Sequence, residues 1–323
     1  MGMTARRYRI LALWTCIGMF VVLIAGVMVT NTESQAGCGT DWPLCNGKFI
    51  PAWTLESLVE YSHRAVSGIV GLLVAASFLA TVYWKPVKHK EPIWYASAAL
   101  FFTVLQAALG AMAVKWPQSK AVLALHFGIS LFAFTSTWLL YTYAKRLDAR
   151  EGQSISLISD RSRTVIPIPR AVYRYALAVL IYCYVVIYLG AYIRHTGSGS
   201  GCIGWPLCNG EVMPTLAGAT GIAFIHRLAA LLMLVLVVLL VIYVRKQTGK
   251  GSDLSKTAFY ALLLVMMQVL SGGLLSATLD DQNVYVFTAL LHTIIISALF
   301  SVICLLTLRA RHDASYGEDQ SGR

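Results

Sequence analysis

Four histidines carry the chemistry open to this sequence. His63, His126, His226 and His292 each fall inside an apolar stretch, where a polar ring needs a partner. Two of them head a repeated pair, His63-Arg64 and His226-Arg227, set 163 residues apart. One reading is that each imidazole hydrogen-bonds a neighbouring helix and does nothing more. Two pairs recurring at one depth favour axial ligation of haem iron, His63 with His126 and His226 with His292. Zinc would want four ligands, and no cysteine or carboxylate cluster joins both histidines of either pair. Arg64 and Arg227 directly follow two of these ligands and are expected to reach haem propionates. The alternative for them is snorkelling to the membrane interface. His89 and His312 fall in polar segments and read as solvated, and His195 ends the fifth apolar stretch.

A carboxylate separates the two pairs. Glu60 lies three residues before His63, one helical turn away, whereas the residue 163 positions on is Ala223. Beside a metal centre, a carboxylate can act as a general base or shuttle protons. The plain alternative is a solvated group at the membrane surface. The asymmetry assigns catalysis to the N-terminal half and a permanent haem to the C-terminal half. Cys38 with Cys45, and Cys202 with Cys208, lie in matching loops expected outside the cytoplasm, where disulfides persist. One bridge per loop is predicted, and a redox-active role for the first pair stays open. Cys16, Cys183 and Cys304 sit in apolar helices and read as small buried residues.

The elements that must position these residues are membrane helices. Only 13% of the 323 residues are charged and 57% are hydrophobic, where a soluble chain carries about 25% charge. The net charge of +11 does not indicate nucleic acid, because the basic residues sit in short segments between apolar stretches. Eight such stretches, near 9–30, 60–84, 93–114, 121–144, 171–193, 220–244, 257–277 and 284–308, are long enough to span a bilayer. The first follows Arg6, Arg7 and Arg9 and reads as a retained helix rather than a signal peptide. The seventh is interrupted by Ser271, Gly272 and Gly273, which close helix packing tolerates. Twenty Lys and Arg residues fall on one side and six on the other, which predicts a cell-membrane protein with both termini cytoplasmic. The four histidines then lie roughly 5–12 Å below the outer ends of their helices.

The string WPLCNG occurs at 42–47 and again at 205–210. Gln106 and Gly110 likewise answer Gln268 and Gly272, and His126 answers His292. An even number of helices per repeat makes the repeats parallel. The expected fold is an all-α integral membrane protein, eight transmembrane helices as two pseudo-twofold-related four-helix bundles. The expected divisions are 1–144 with the substrate haem and catalytic site, a cytoplasmic linker at 145–170, 171–310 with a haem b site, and a polar tail at 311–323.

With EYSHR at 60–64, GAYIRHT at 190–196, the second His-Arg pair and the paired cysteines around WPLCNG, the chain resembles the haem A synthase family from about residue 8 to 310. The resemblance implies oxidation of the position-8 methyl of haem O to a formyl group by successive hydroxylation. It also implies that Glu60 is essential, that His63 and His126 serve the substrate haem, and that His226 and His292 hold haem b. Both cysteine pairs fit a bacterial subtype. Haem O synthase is the implied supplier, beside an unidentified electron donor or acceptor and the lipid bilayer. The main rival is a di-haem b-type electron carrier, which Glu60 opposite Ala223 argues against. A transporter and a purely structural assembly factor are weaker rivals.

Overall fold

A computed structural model describes residues 3–42, 44–84, 90–116, 119–149 and 168–321, with side chains as far as 315. His89 and Pro43 lie outside the described residues, as does 150–167 of the expected linker. The described residues form eight long helices and no strand. They are α1 (Ala5–Asn31), α2 (Leu55–Tyr83), α3 (Lys90–Lys115), α4 (Lys120–Ala149), α5 (Arg170–Thr196), α6 (Gly218–Thr248), α7 (Asp253–Ala277) and α8 (Gln282–Ser321). All eight are long and apolar enough to cross a membrane. A helix satisfies its own backbone, which is what hydrocarbon demands of a spanning segment.

The helices outrun the apolar stretches because capping residues, not lipid, set their ends. Thr54 starts α2 by accepting the Ser57 N–H at 3.3 Å, and Ser252 starts α7 by accepting that of Ser255 at 3.1 Å. Gly197, in the left-handed region at φ +68°, closes α5. The interrupted seventh stretch is one continuous helix. The expected tail is helical as well: α8 continues past 311 to Ser321. The polar residues there have partners. Arg309 donates to Thr257 Oγ1 at 2.8 Å, and His312, half-buried rather than solvated, meets the buried Asp313 at 3.3 Å.

The chain divides into two compact units, Met1–Leu157 and Ile158–Arg323. In unit 1 the helices neighbour one another in the ring α1–α2–α3–α4, which closes back on α1. Unit 2 repeats the ring with α5–α6–α7–α8. The histidine-bearing helices, α2 with α4 and α6 with α8, therefore stand diagonally across their rings.

Each unit has one end carrying a disulfide loop, between its first two helices. In unit 1, apolar packing is concentrated farther from that loop, around Met19, Val70, Val74, Ala99 and Ala133. Buried hydroxyls stitch the same region: Tyr8 to Thr81 and Thr15 to Ser77, both at 2.8 Å. In unit 2 the phenols of Tyr175 and Tyr182 donate to the carbonyls of Leu236 and Ala229 at 2.9 and 3.1 Å. Such bonds between membrane helices contribute roughly 0.6 kcal/mol each. In unit 1 these bonds lie in the half away from the disulfide loop, and in unit 2 they reach to within a turn of His226.

Candidate functional site

The four histidines lie six to ten residues into their helices, or about 9–15 Å at the helical rise. This is deeper than the apolar stretches suggest, because the helices begin earlier. All four are half-buried. Each ring lies against a glycine of the adjacent helix. A Cβ built on Gly26 of α1 would come within 3.3 Å of His63, and one on Gly110 of α3 within 3.7 Å of His126. In unit 2 a Cβ on Gly190 of α5 would come within 3.0 Å of His226, and one on Gly272 of α7 within 3.5 Å of His292. The pattern is one histidine and one facing glycine for each of four helix pairs. Gly110 and Gly272 stand out in the sequence; Gly26 and Gly190 do not, although both lie twelve residues before the first cysteine of their loops.

The donor set, imidazoles held in apolar helices, would suit haem iron. The Nδ1 atoms of His63 and His226 are buried with no hydrogen-bond partner. His226 lies within electrostatic reach of His292. Among the described residues no cluster of three or more metal-ligating side chains forms. His195 closes α5 and is not part of either pair.

Disulfides join Cys38 to Cys45 and Cys202 to Cys208. The repeated CNG explains the shape of both loops. Asn46 and Gly47 have φ of +50° and +75°, and Asn209 and Gly210 have +55° and +79°. Asn-Gly is the pair that turns a two-residue hairpin of this hand. The flanking backbone groups pair reciprocally, Cys45 with Lys48 and Cys208 with Glu211. The glycine before each loop's first cysteine lets it lie on the next helix. A Cβ on Gly37 would strike the backbone of Glu56 at 2.4 Å, and one on Gly201 that of Ala219 at 2.6 Å.

Glu60 is buried, not solvated. Its Oε2 accepts the Cys38 N–H at 2.8 Å, and its Oε1 pairs with Arg64 Nη2 at 2.5 Å. Arg64 also donates to the carbonyls of Asp41 and Leu44 at 2.6 and 2.8 Å. Glu60 thus fastens the first disulfide loop to α2. In unit 2, Arg227 donates to the carbonyls of Leu207 and Cys202 at 2.9 and 2.6 Å, and to Ser276 Oγ of α7 at 3.2 Å. Both arginines, expected at propionates, hold their own loops here.

Fold and site define a class: a multi-pass helical membrane protein whose two four-helix units each carry two histidine-bearing helices and a disulfide loop. The chain belongs to the family of cytochrome oxidase assembly proteins (COX15-CtaA), which it matches over residues 9–165 and 173–221. It is similar to the Heme A synthase of Symbiobacterium thermophilum, with 40% identity over 293 residues covering 90% of this chain and 92% of that protein. The Heme A synthase of Halalkalibacterium halodurans is 38% identical over 305 residues, covering 94% of this chain and 97% of that protein. That of Bacillus licheniformis is 37% identical over 306 residues, covering 94% and 96%.

Proposed function

We propose that this protein is the membrane enzyme that oxidises haem O to haem A, converting the position-8 methyl to a formyl group by successive hydroxylation. The relatives just named are called Heme A synthase, which supports this reading. The observation that carries the reading in this chain is the inequality of its two histidine pairs. Only the first has a buried carboxylate one turn away, Glu60, where the second has Ala223. An electron carrier with two equivalent haems has no use for that difference.

In this reading residues 1–144 form the catalytic half, and His63 and His126 hold the substrate, haem O. Residues 171–310 hold haem b through His226 and His292. Bound there, haem b supplies a one-electron redox centre, its potential tuned by the protein. Gly26, Gly110, Gly190 and Gly272 give the four rings their room. Each Glu60 oxygen makes one contact and keeps a further lone pair, so the group can still take a proton from water. Arg64 holds that carboxylate and the disulfide loop in one arrangement and stays within the region where propionates are expected. Haem O synthase supplies the substrate, and an electron acceptor completes the reaction. The Lys and Arg distribution supports a cell-membrane protein with both termini in the cytoplasm.

The test is chemical. Haem extracted from the purified protein and identified by absorption and mass is expected to contain haem b together with haem O or haem A. Turnover in isotope-labelled water is expected to place oxygen from water in the product. A colourless, folded and active protein defeats the proposal, and label that never enters the product defeats the role of Glu60.

A further inference from the structure

The seventh apolar stretch is broken by Ser271, Gly272 and Gly273, and this break lies against His292. Ser271 is buried in α7. Its hydroxyl donates to the Gln268 carbonyl at 2.9 Å, so its proton is committed to the helix backbone. The same oxygen lies 2.8 Å from His292 Nδ1 and, with its proton on that carbonyl, accepts there. Nδ1 therefore carries the ring proton, and Nε2 carries the lone pair. The Gln268 side-chain amide nitrogen lies 2.8 Å from Nε2, a placement that matches the same tautomer. The next residue, Gly272, puts no side chain of its own at the Cε1 edge of the ring, where a Cβ would lie 3.5 Å away.

Unit 1 lacks this hydroxyl. Aligned on Gln106 and Gln268, the position of Ser271 is Leu109, which has no polar side chain to offer. Gln106 donates to the backbone carbonyl of His126 at 2.6 Å rather than to its ring. A serine in a membrane helix commonly bonds its own backbone and does nothing else. Ser271 makes that bond and the ring contact together.

We propose that Ser271 is the positioning residue that fixes His292 as an Nε2 ligand of the haem held in unit 2, the Gln268 amide giving up Nε2 to the iron, and that it tunes that haem. The inference rests on the reading of His292 as an iron ligand. An N–H···O bond at the far nitrogen orients the ring and raises its basicity as a ligand. A more basic imidazole favours ferric iron, so Ser271 holds the reduction potential down.

The test uses full-length protein made in cells that supply haem b but not haem O. Threonine and valine have nearly the same shape and differ by the hydroxyl, so Ser271→Thr and Ser271→Val hold volume constant. Redox titration, low-spin electron paramagnetic resonance and haem retention are read on both. Ser271→Thr is expected to keep the parent potential and spectrum. Ser271→Val is expected to raise the potential, alter the spectrum and weaken haem binding about 10–100-fold. Equal behaviour of the two variants, whether unchanged or equally shifted, overturns the proposal, because packing alone would then explain the site. If the haem signal of the parent survives His292→Ala, the functional reading itself fails, and that result is distinct from a bound haem indifferent to the hydroxyl.

Discussion

The two units share a ring of four helices, a disulfide loop and a pair of histidines, yet their loops are tied down differently. In unit 1 the described ties run to α2: Glu60 takes the Cys38 N–H, and Arg64 takes two loop carbonyls. In unit 2 they reach α7 as well. Trp205 of the loop lies against Gly273, and Arg227 bridges the Cys202 carbonyl to Ser276. The corresponding α3 residues, Ala111 and Val114, offer neither a bare backbone nor a hydroxyl. Burial follows the same division. No described residue in the outer half of α3, beyond Ala99, is buried, whereas Ser271 and Gly273 of α7 are. A duplicated scaffold has thus been specialised at a few positions of its third helix and at one position of its second.

The largest effect expected from breaking this comparison is at Glu60. Glu60→Ala removes both the carboxylate and the tie to Cys38, and turnover should fall by at least about 100-fold, the usual contribution of a general base. Haem b in unit 2 should stay in place. Glu60→Gln separates the two roles, since an amide oxygen still accepts the Cys38 N–H but cannot take a proton at neutral pH. It should keep the loop and lose the activity. Haem A measured by extraction and mass decides the matter: near-normal product from either variant would sink the catalytic role. Ala223→Glu, which copies the carboxylate into unit 2 beside Arg227, should add no activity.

Next comes the graded fit of glycine to histidine. Gly190→Ala puts a methyl 3.0 Å from His226, while Gly110→Ala puts one 3.7 Å from His126, ordinary contact. Overpacking of a fixed ring costs about 1–3 kcal/mol. Gly190→Ala should therefore weaken haem b binding in unit 2 by roughly tenfold or more, read by haem content after dilution. Gly110→Ala should leave substrate affinity nearly unchanged. If Gly110→Ala proves the more damaging, ring fit is not what these glycines provide.

Much of this was legible in the sequence, for physical reasons that also set the limit. Spanning helices advertise themselves because hydrocarbon admits few residue types, and all eight stretches are helices. The repeat exposed His63, His126, His226, His292, Glu60 and both cysteine pairs, because identical strings at matched positions need no geometry to be seen. Helix ends were misplaced by several residues because Thr54 and Ser252 cap outside the apolar window. The interruption at Ser271, Gly272 and Gly273 reads in sequence only as close helix packing, although those residues make the seat of His292 and Trp205. Gly26 and Gly190 look like any glycine of a membrane helix, since facing a ring on another helix leaves no local signature. The burial of Glu60 was equally invisible, because its partners are a backbone N–H 22 residues away and an arginine already assigned elsewhere.

The smallest expected effect tests the tie between loop and α7. A Cβ on Gly273 would lie 3.0–3.3 Å from three atoms of the Trp205 ring. Trp205 is half exposed, so the ring can give way, and the cost of Gly273→Ala should sit near 1 kcal/mol, the low end for overpacking. The loop should lift slightly, moving tryptophan emission and hastening haem b loss a few-fold. The control is already present in the molecule. Unit 1 carries Ala111 at this place and Trp42, half exposed, in its loop, so Ala111→Gly should change neither emission nor substrate binding. Should Ala111→Gly tighten substrate binding as much as Gly273→Ala loosens haem b, the two loops would be governed by one contact, and the division between a fastened cofactor unit and a looser substrate unit would be lost.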